Sequence, residues 1–139
     1  ITSSQMSMDQ IITLASIIQA EAADTGDMYK VSAVLHNRLD RGGEAGTPRL
    51  QCDSTIYYPY KNKEDAPAGY ESSYNTYEIQ GLPEGAICNP GIDAIKAALN
   101  PDPENADSFY FCHSADGTAY YASTAEGHQE NLQAAGLND

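Results

Sequence analysis

Basic residues are scarce in this chain: seven Lys and Arg stand against 20 Asp and Glu among 139 residues, a formal charge of −13 at pH 7. Such a surface repels phosphate backbones and carries no basic patch to offset the repulsion, which argues against nucleic acid as a partner. The charge itself reads as solubility and does not reveal a substrate. No apolar run approaches the roughly 20 residues needed to span a bilayer, and no secretory signal is visible. The chain opens at Ile1 with no initiator Met. It therefore reads as an excised domain, with any anchor or export signal left outside it. Cysteine is sparse too. Cys52, Cys88 and Cys112 are far apart and form no CxxC pair, which makes a structural zinc improbable. Their odd number permits at most one internal disulfide and leaves the redox compartment open. A Gly-rich phosphate loop, a nucleophile elbow, internal repeats and low-complexity stretches are all missing.

What is present fits one globular domain over residues 1–139, because 41% of the residues are apolar and the length supports one modest core. Ser7 with Gln10 reads as a capping box opening a helix. Ile11, Leu14, Ala15, Ile18 and Ala22 follow helical spacing behind it, to an end near Ala23. A second helix is expected from about Asp27, with Met28, Val31, Leu35 and Leu39 as its stripe and Gly42-Gly43 as its stop. Residues 44–89 are irregular, and six of the ten tyrosines lie between Tyr57 and Tyr77. A structureless stretch this long in a compact domain is usually functional, and its aromatic content speaks against a flexible linker. Asn89-Pro90 reads as the cap and first turn of a helix carrying Ile92, Ile95 and Leu99, ended by Pro101. Residues 108–113 and 119–123 read as two strands joined through the turn Ala115-Asp116-Gly117. Ser123 with Glu126 opens a final helix to about Ala135. The class is α+β.

Glu21 is the first candidate for chemistry. It follows Leu14 by seven residues and Ile18 by three, on or beside the buried stripe and near the C-terminal end of the first helix. Burial and the negative end of a helix dipole both favour a protonated carboxyl, which is what a general acid needs to protonate a glycosidic oxygen. The alternative is a boundary glutamate facing water. Asp53 offers a second carboxylate of a glycosidase pair, or a loop residue capping backbone amides. Tyr74-Asn75-Thr76-Tyr77 offers rings for sugar faces and amide and hydroxyl groups for sugar hydroxyls, or an ordinary packed turn. His36, His113 and His128 show neither ligand spacing nor a nucleophile partner and are read as structural.

The helix segment Leu14-Ala15-Ser16-Ile17-Ile18-Gln19-Ala20-Glu21 resembles the one that carries the catalytic glutamate of the MltG (YceG-like) endolytic murein transglycosylases. Further matches follow in the same order: Asn37-Arg38-Leu39, Leu50 to Thr55 (LQCDST), Tyr74 to Tyr77, Gly81-Leu82-Pro83, Asn89-Pro90-Gly91, Ala97 to Pro101 and Phe109-Tyr110-Phe111. They run from about Met8 to His128. Gln19 replaces an acid that family members often carry, and Ser54 stands where proline is usual.

The resemblance implies a lysozyme-like catalytic domain, with a helix carrying the catalytic Glu, a long groove-forming segment and a small β-hairpin. It implies a lytic transglycosylase, a lyase that cleaves the MurNAc–GlcNAc β-1,4 bond of peptidoglycan and leaves 1,6-anhydro-MurNAc ends. Glu21 would be the catalytic residue, and Gln51, Asp53, Tyr74, Asn75 and Thr76 would bind substrate, all along one cleft. No cofactor and no metal are implied. The implied partners are peptidoglycan glycan strands and, beside them, cell-wall synthesis proteins. The place of action is the extracytoplasmic cell envelope, with membrane contact only through an anchor outside this chain. Two other readings compete. One is a muramidase-like hydrolase of the same bond that uses Asp53. The other is a catalytically silent glycan-binding module, which would not need an acid at position 21.

Overall fold

The computed structural model describes residues 5–137. Its first helix, α1, spans Met8–Glu21 and opens with the expected capping box. The Gln10 amide donates to Ser7 Oγ at 3.2 Å, and the Ser7 amide donates to Gln10 Oε1 at 2.9 Å. Ile11, Leu14, Ala15 and Ile18 are buried as their spacing predicts, and Ile17 is buried beside them. The burial is wide because α1 is central, packed on both α2 and α3. It ends at Glu21, short of the expected Ala23. Ala22 turns extended, and the Ala23 amide donates to the side chain of Asp27 instead of to the helix.

Helix α2 spans Thr25–Ala45, starting two residues before the sequence reading placed it. Asp24 is its cap, accepting from the Asp27 amide at 2.8 Å. Gly42 and Gly43 do not stop it. The chain turns at Gly46, whose φ of 80° is the left-handed conformation glycine tolerates. Gly42 serves packing: a Cβ there would lie 2.2 Å from the Thr47 carbonyl oxygen, so the returning chain closes onto the bare helix backbone.

Helix α3 spans Ile92–Leu99 and lies against α1 and α2. Neither Asn89 nor Pro90 caps it. Gly91 holds the cap position without a side-chain bond, and its amide donates to Gln19 Oε1 at 3.0 Å. The expected stripe is also corrected. Ile92 and Leu99 are exposed, and the buried face is Ala94, Ala97 and Ala98. Small side chains let helix axes approach closely, so alanines face the crowded side and Ile92 and Leu99 are turned out, while Ile95 of the expected stripe is partly buried against the core. Two α2 side chains close the end of α3, with Ser32 Oγ donating to the Ala97 carbonyl and His36 Nε2 to that of Ala98. Burial lowers the pKa of His36, consistent with a neutral ring used as a structural donor.

Strands β1 (Tyr110–His113) and β2 (Ala119–Ala122) pair antiparallel, with Tyr110 opposite Ala122 and His113 opposite Ala119. This is the hairpin the sequence predicts. Helix α4, Ala125–Ala134, is capped by Thr124, one residue after the expected Ser123. It docks on the hairpin, where Asn131 Nδ2 donates to the Tyr121 carbonyl. Residues 46–91 are irregular apart from a 3₁₀ turn at Asp53–Thr55. The whole is an α+β arrangement. Among the described residues no helix is long and apolar enough to cross a membrane.

Candidate active site

The cleft at the C-terminal end of α1 has a volume of about 500 Å³. Glu21, Arg38, Gln51, Asp53, Tyr77 and Tyr110 line it, with His113 and His128 farther along the wall. Glu21 is the last residue of α1 and is half-buried. Its Oε2 accepts the Ser54 amide at 2.9 Å, so the turn at Asp53–Thr55 grips one oxygen of the carboxyl. Position 54 is where the resemblance has proline, and proline has no N–H to give. Here the departure supplies a donor.

The turn is held from below by Thr76, which is fully buried. Thr76 Oγ1 accepts the Cys52 amide at 2.8 Å and lies 2.8 Å from Thr55 Oγ1, and Thr55 Oγ1 in turn accepts the Thr76 amide. Gln51 leads into the turn with φ 55°, a strained value for a residue with a side chain. Its Oε1 accepts from Arg38 Nη1. Asp53 is exposed, and its Oδ1 accepts the Tyr77 hydroxyl at 2.6 Å. Burial, and then that bond, push the Tyr77 phenol well above its ordinary pKa.

Glu21, Gln51 and Asp53 thus share one cleft. Tyr74, Asn75 and Thr76 are not among the residues that line it. Tyr74 lies against Tyr58, ring centroids 4.5 Å apart. Asn75 Oδ1 accepts the Tyr77 amide and shapes the turn, while Thr76 sits under the floor. From this tetrapeptide it is Tyr77 that reaches the cleft wall.

Sequence reasoning did not assign Arg38, Tyr110, His113 or His128 to the cleft. Arg38 had a signal, because it continues the buried α2 spacing from Val31 and Leu35, where a charged residue needs a reason. Tyr110 had none beyond its strand. His113 had none either, because its partner is far away in sequence: Nε2 lies 2.6 Å from Oδ2 of the buried Asp27, the same oxygen that holds the Ala23 amide. All three cysteines are free thiols. Cys52 lies beneath the site, and burial, then the charge of Glu21, push its thiol pKa well up.

The profile of the YceG-like family matches residues 1–134. The chain belongs to the YceG-like family. Curated relatives include the endolytic murein transglycosylase of Bacillus subtilis (strain 168), 32% identical over 130 residues, which are 91% of this chain and 34% of that protein. The endolytic murein transglycosylase of Streptococcus pneumoniae (serotype 2, strain D39) is 28% identical over 137 residues, covering 95% of this chain and 24% of that protein. A crystal structure of a YceG-like protein from Listeria monocytogenes superposes with a TM-score of 0.72 at 33% identity, over 91% of this chain and 40% of that one. The chain therefore spans about a quarter to a third of the length of these curated relatives. Within this YceG-like chain, the Glu21 helix and the turn that grips it both fall inside the matched residues.

Proposed function

We propose that this chain is the catalytic part of a lytic transglycosylase that cuts peptidoglycan glycan strands between MurNAc and GlcNAc. The observation that carries the reading is the Glu21 carboxyl on the cleft wall with Oε2 pinned by the Ser54 amide. Fixing one oxygen leaves Oε1 to exchange a proton. Glu21 first protonates the bridging oxygen as the C1–O bond breaks. It then takes the proton of the muramoyl C6 hydroxyl as that oxygen closes onto C1. The nucleophile belongs to the substrate, so one carboxyl serves both steps. Gln51 and Asp53 line the groove, and the Tyr77 ring offers a stacking face. A helix-borne acid above a groove is also what a lysozyme-like domain presents. The names of the relatives support the substrate class and action in the cell envelope, and on this reading the action falls on its extracytoplasmic side. Mass spectrometry of digested peptidoglycan tests the reading: 1,6-anhydro ends carry one water less than the reducing ends a hydrolase leaves.

A hydrolase remains the nearest rival because Asp53 sits next to the Ser54 grip. Asp53 is tied to Tyr77, so it orients more readily than it transfers protons. Asp53→Asn is expected to lower the cleavage rate by about tenfold or less, well short of the 10²–10⁴-fold typical of losing a general acid–base group. Equal damage from Asp53→Asn and Glu21→Gln would favour a working carboxylate pair instead.

The Ser54 grip has its own test. Ser54→Ala keeps the amide, and Ser54 Oγ has no hydrogen-bond partner to lose, so kcat should be unchanged. Ser54→Pro removes the donor and is expected to lower kcat by about 2- to 10-fold, the worth of one net hydrogen bond. Identical kcat values for the two variants would show that the amide does not matter.

A further inference from the structure

Among the described residues Arg38 is a cation with no counter-ion. It is more than nine-tenths buried, with 7% exposure. Its guanidinium donates to neutral oxygens: Nε to the Phe109 carbonyl at 2.6 Å, and Nη1 to the Arg49 and Leu50 carbonyls and to Gln51 Oε1. Among the described residues it forms no ion pair with a carboxylate, although the chain carries 20 acidic residues. Burying a guanidinium without an anion is costly, and burial lowers its pKa as expected for a charge that has lost its hydration. Carbonyls hold it rigidly but do not neutralise it. The charge stands on the cleft wall, and Tyr110 lies against it, its ring centroid 5.2 Å from the guanidinium carbon. Tyr110 also touches a second unmet group. The His128 ring stacks on Tyr110 at 5.0 Å, and its Nδ1 is buried without a partner.

We infer that Arg38, with Tyr110 and His128 beside it, forms a subsite of the Glu21 cleft for a carboxylate carried by the muramoyl sugar. This rests on the glycan reading and deepens it. The two sugars of the strand share their ring and acetamido groups. They differ in the lactyl ether on O3 of the muramoyl residue, which ends in a carboxyl. An enzyme that cuts on only one side of that sugar has to read this difference, and a buried guanidinium reads a carboxylate strongly because bulk water does not compete. The same charge could be offered by the lactyl carboxylate of a bare strand or by a stem peptide attached through it.

Binding by calorimetry to the Glu21→Gln protein, which holds strands without cutting them, tests the inference. The probes are a bare GlcNAc–MurNAc oligosaccharide, the same oligosaccharide with its lactyl carboxyls amidated, a strand bearing stem peptides, and an N-acetylglucosamine oligomer of equal length. The bare strand is expected to bind about tenfold more tightly than its amide and the neutral oligomer, with the margin shrinking as salt is raised. Tight binding of the peptide-bearing strand would put the recognised carboxylate on the peptide. In Arg38→Met the margin between the bare strand and the neutral oligomer should vanish. Equal binding of all four probes, or an Arg38→Met variant that weakens them all alike, overturns the subsite and leaves the glycan reading standing. No binding of any probe overturns both. If Arg38→Met fails to fold, the amide comparison and its salt dependence in the Arg38-bearing protein decide alone.

Discussion

Glu21→Gln is expected to abolish glycan cleavage and leave the fold intact. The amide nearly matches the carboxyl in shape, and its oxygen can still accept the Ser54 amide, so the turn at Asp53–Thr55 keeps its anchor. What is lost is the exchangeable proton. General acid–base catalysis contributes about 10²–10⁴-fold, and in the proposed reaction one group serves both the bond-breaking and the ring-closing step, so the loss should fall at the upper end. The check is the rate of release of anhydro products from purified peptidoglycan, with the melting curve of the variant overlaid on the parent. Residual activity above about a tenth of the parent would exclude Glu21 from this role.

The second large effect concerns stability. Thr76→Val is expected to destabilise the fold by about 2–4 kcal/mol, because the orphaned Cys52 amide alone costs about 1–3 kcal/mol and the hydroxyl bonds to Thr55 add to it. The site is fully buried, so water cannot replace the missing partner. Thr76→Ser keeps the oxygen and should recover most of the loss. Denaturant titration reads the difference. Cleavage should fall with Thr76→Val as well, because the turn it supports carries the Ser54 amide to Glu21. A variant that melts like the parent and has lost only substrate affinity would mean that Thr76 is a groove contact after all.

That contrast shows where the sequence was readable. Features settled between near neighbours were legible: the Ser7–Gln10 capping box, the hairpin around Asp116-Gly117, and the place of Glu21 at the end of a buried helix. Features settled by what approaches from elsewhere were not. Gly42 looks like a helix stop, yet it lies inside α2 because the Thr47 carbonyl needs the space of its missing side chain. Ile92 and Leu99 look like a core stripe, yet alanines face inward because α1 comes close. The tyrosine-rich tetrapeptide points to sugar binding by composition, but which of its rings reaches the cleft depends on the turn that Asn75 and Thr76 shape.

The sequence by itself determined the class of elements, the family to which its ordered motifs point, and Glu21 as the candidate acid at the C-terminal end of α1. Helical periodicity, capping residues and turn residues are local, and each is written within a few positions. Which groups share the cleft was decided only by the tertiary structure. Glu21 comes from α1, Arg38 from α2, Asp53 and Tyr77 from separate parts of the irregular segment, and Tyr110 and His113 from β1. Their meeting depends on how α1, α2 and α3 pack and on where the hairpin docks, and the same arrangement leaves Arg38 buried with no ion pair to an acid among the described residues. A pairing such as His113 with Asp27 spans 86 positions, and contacts at that range come from long-range packing of side chains, which no local pattern records.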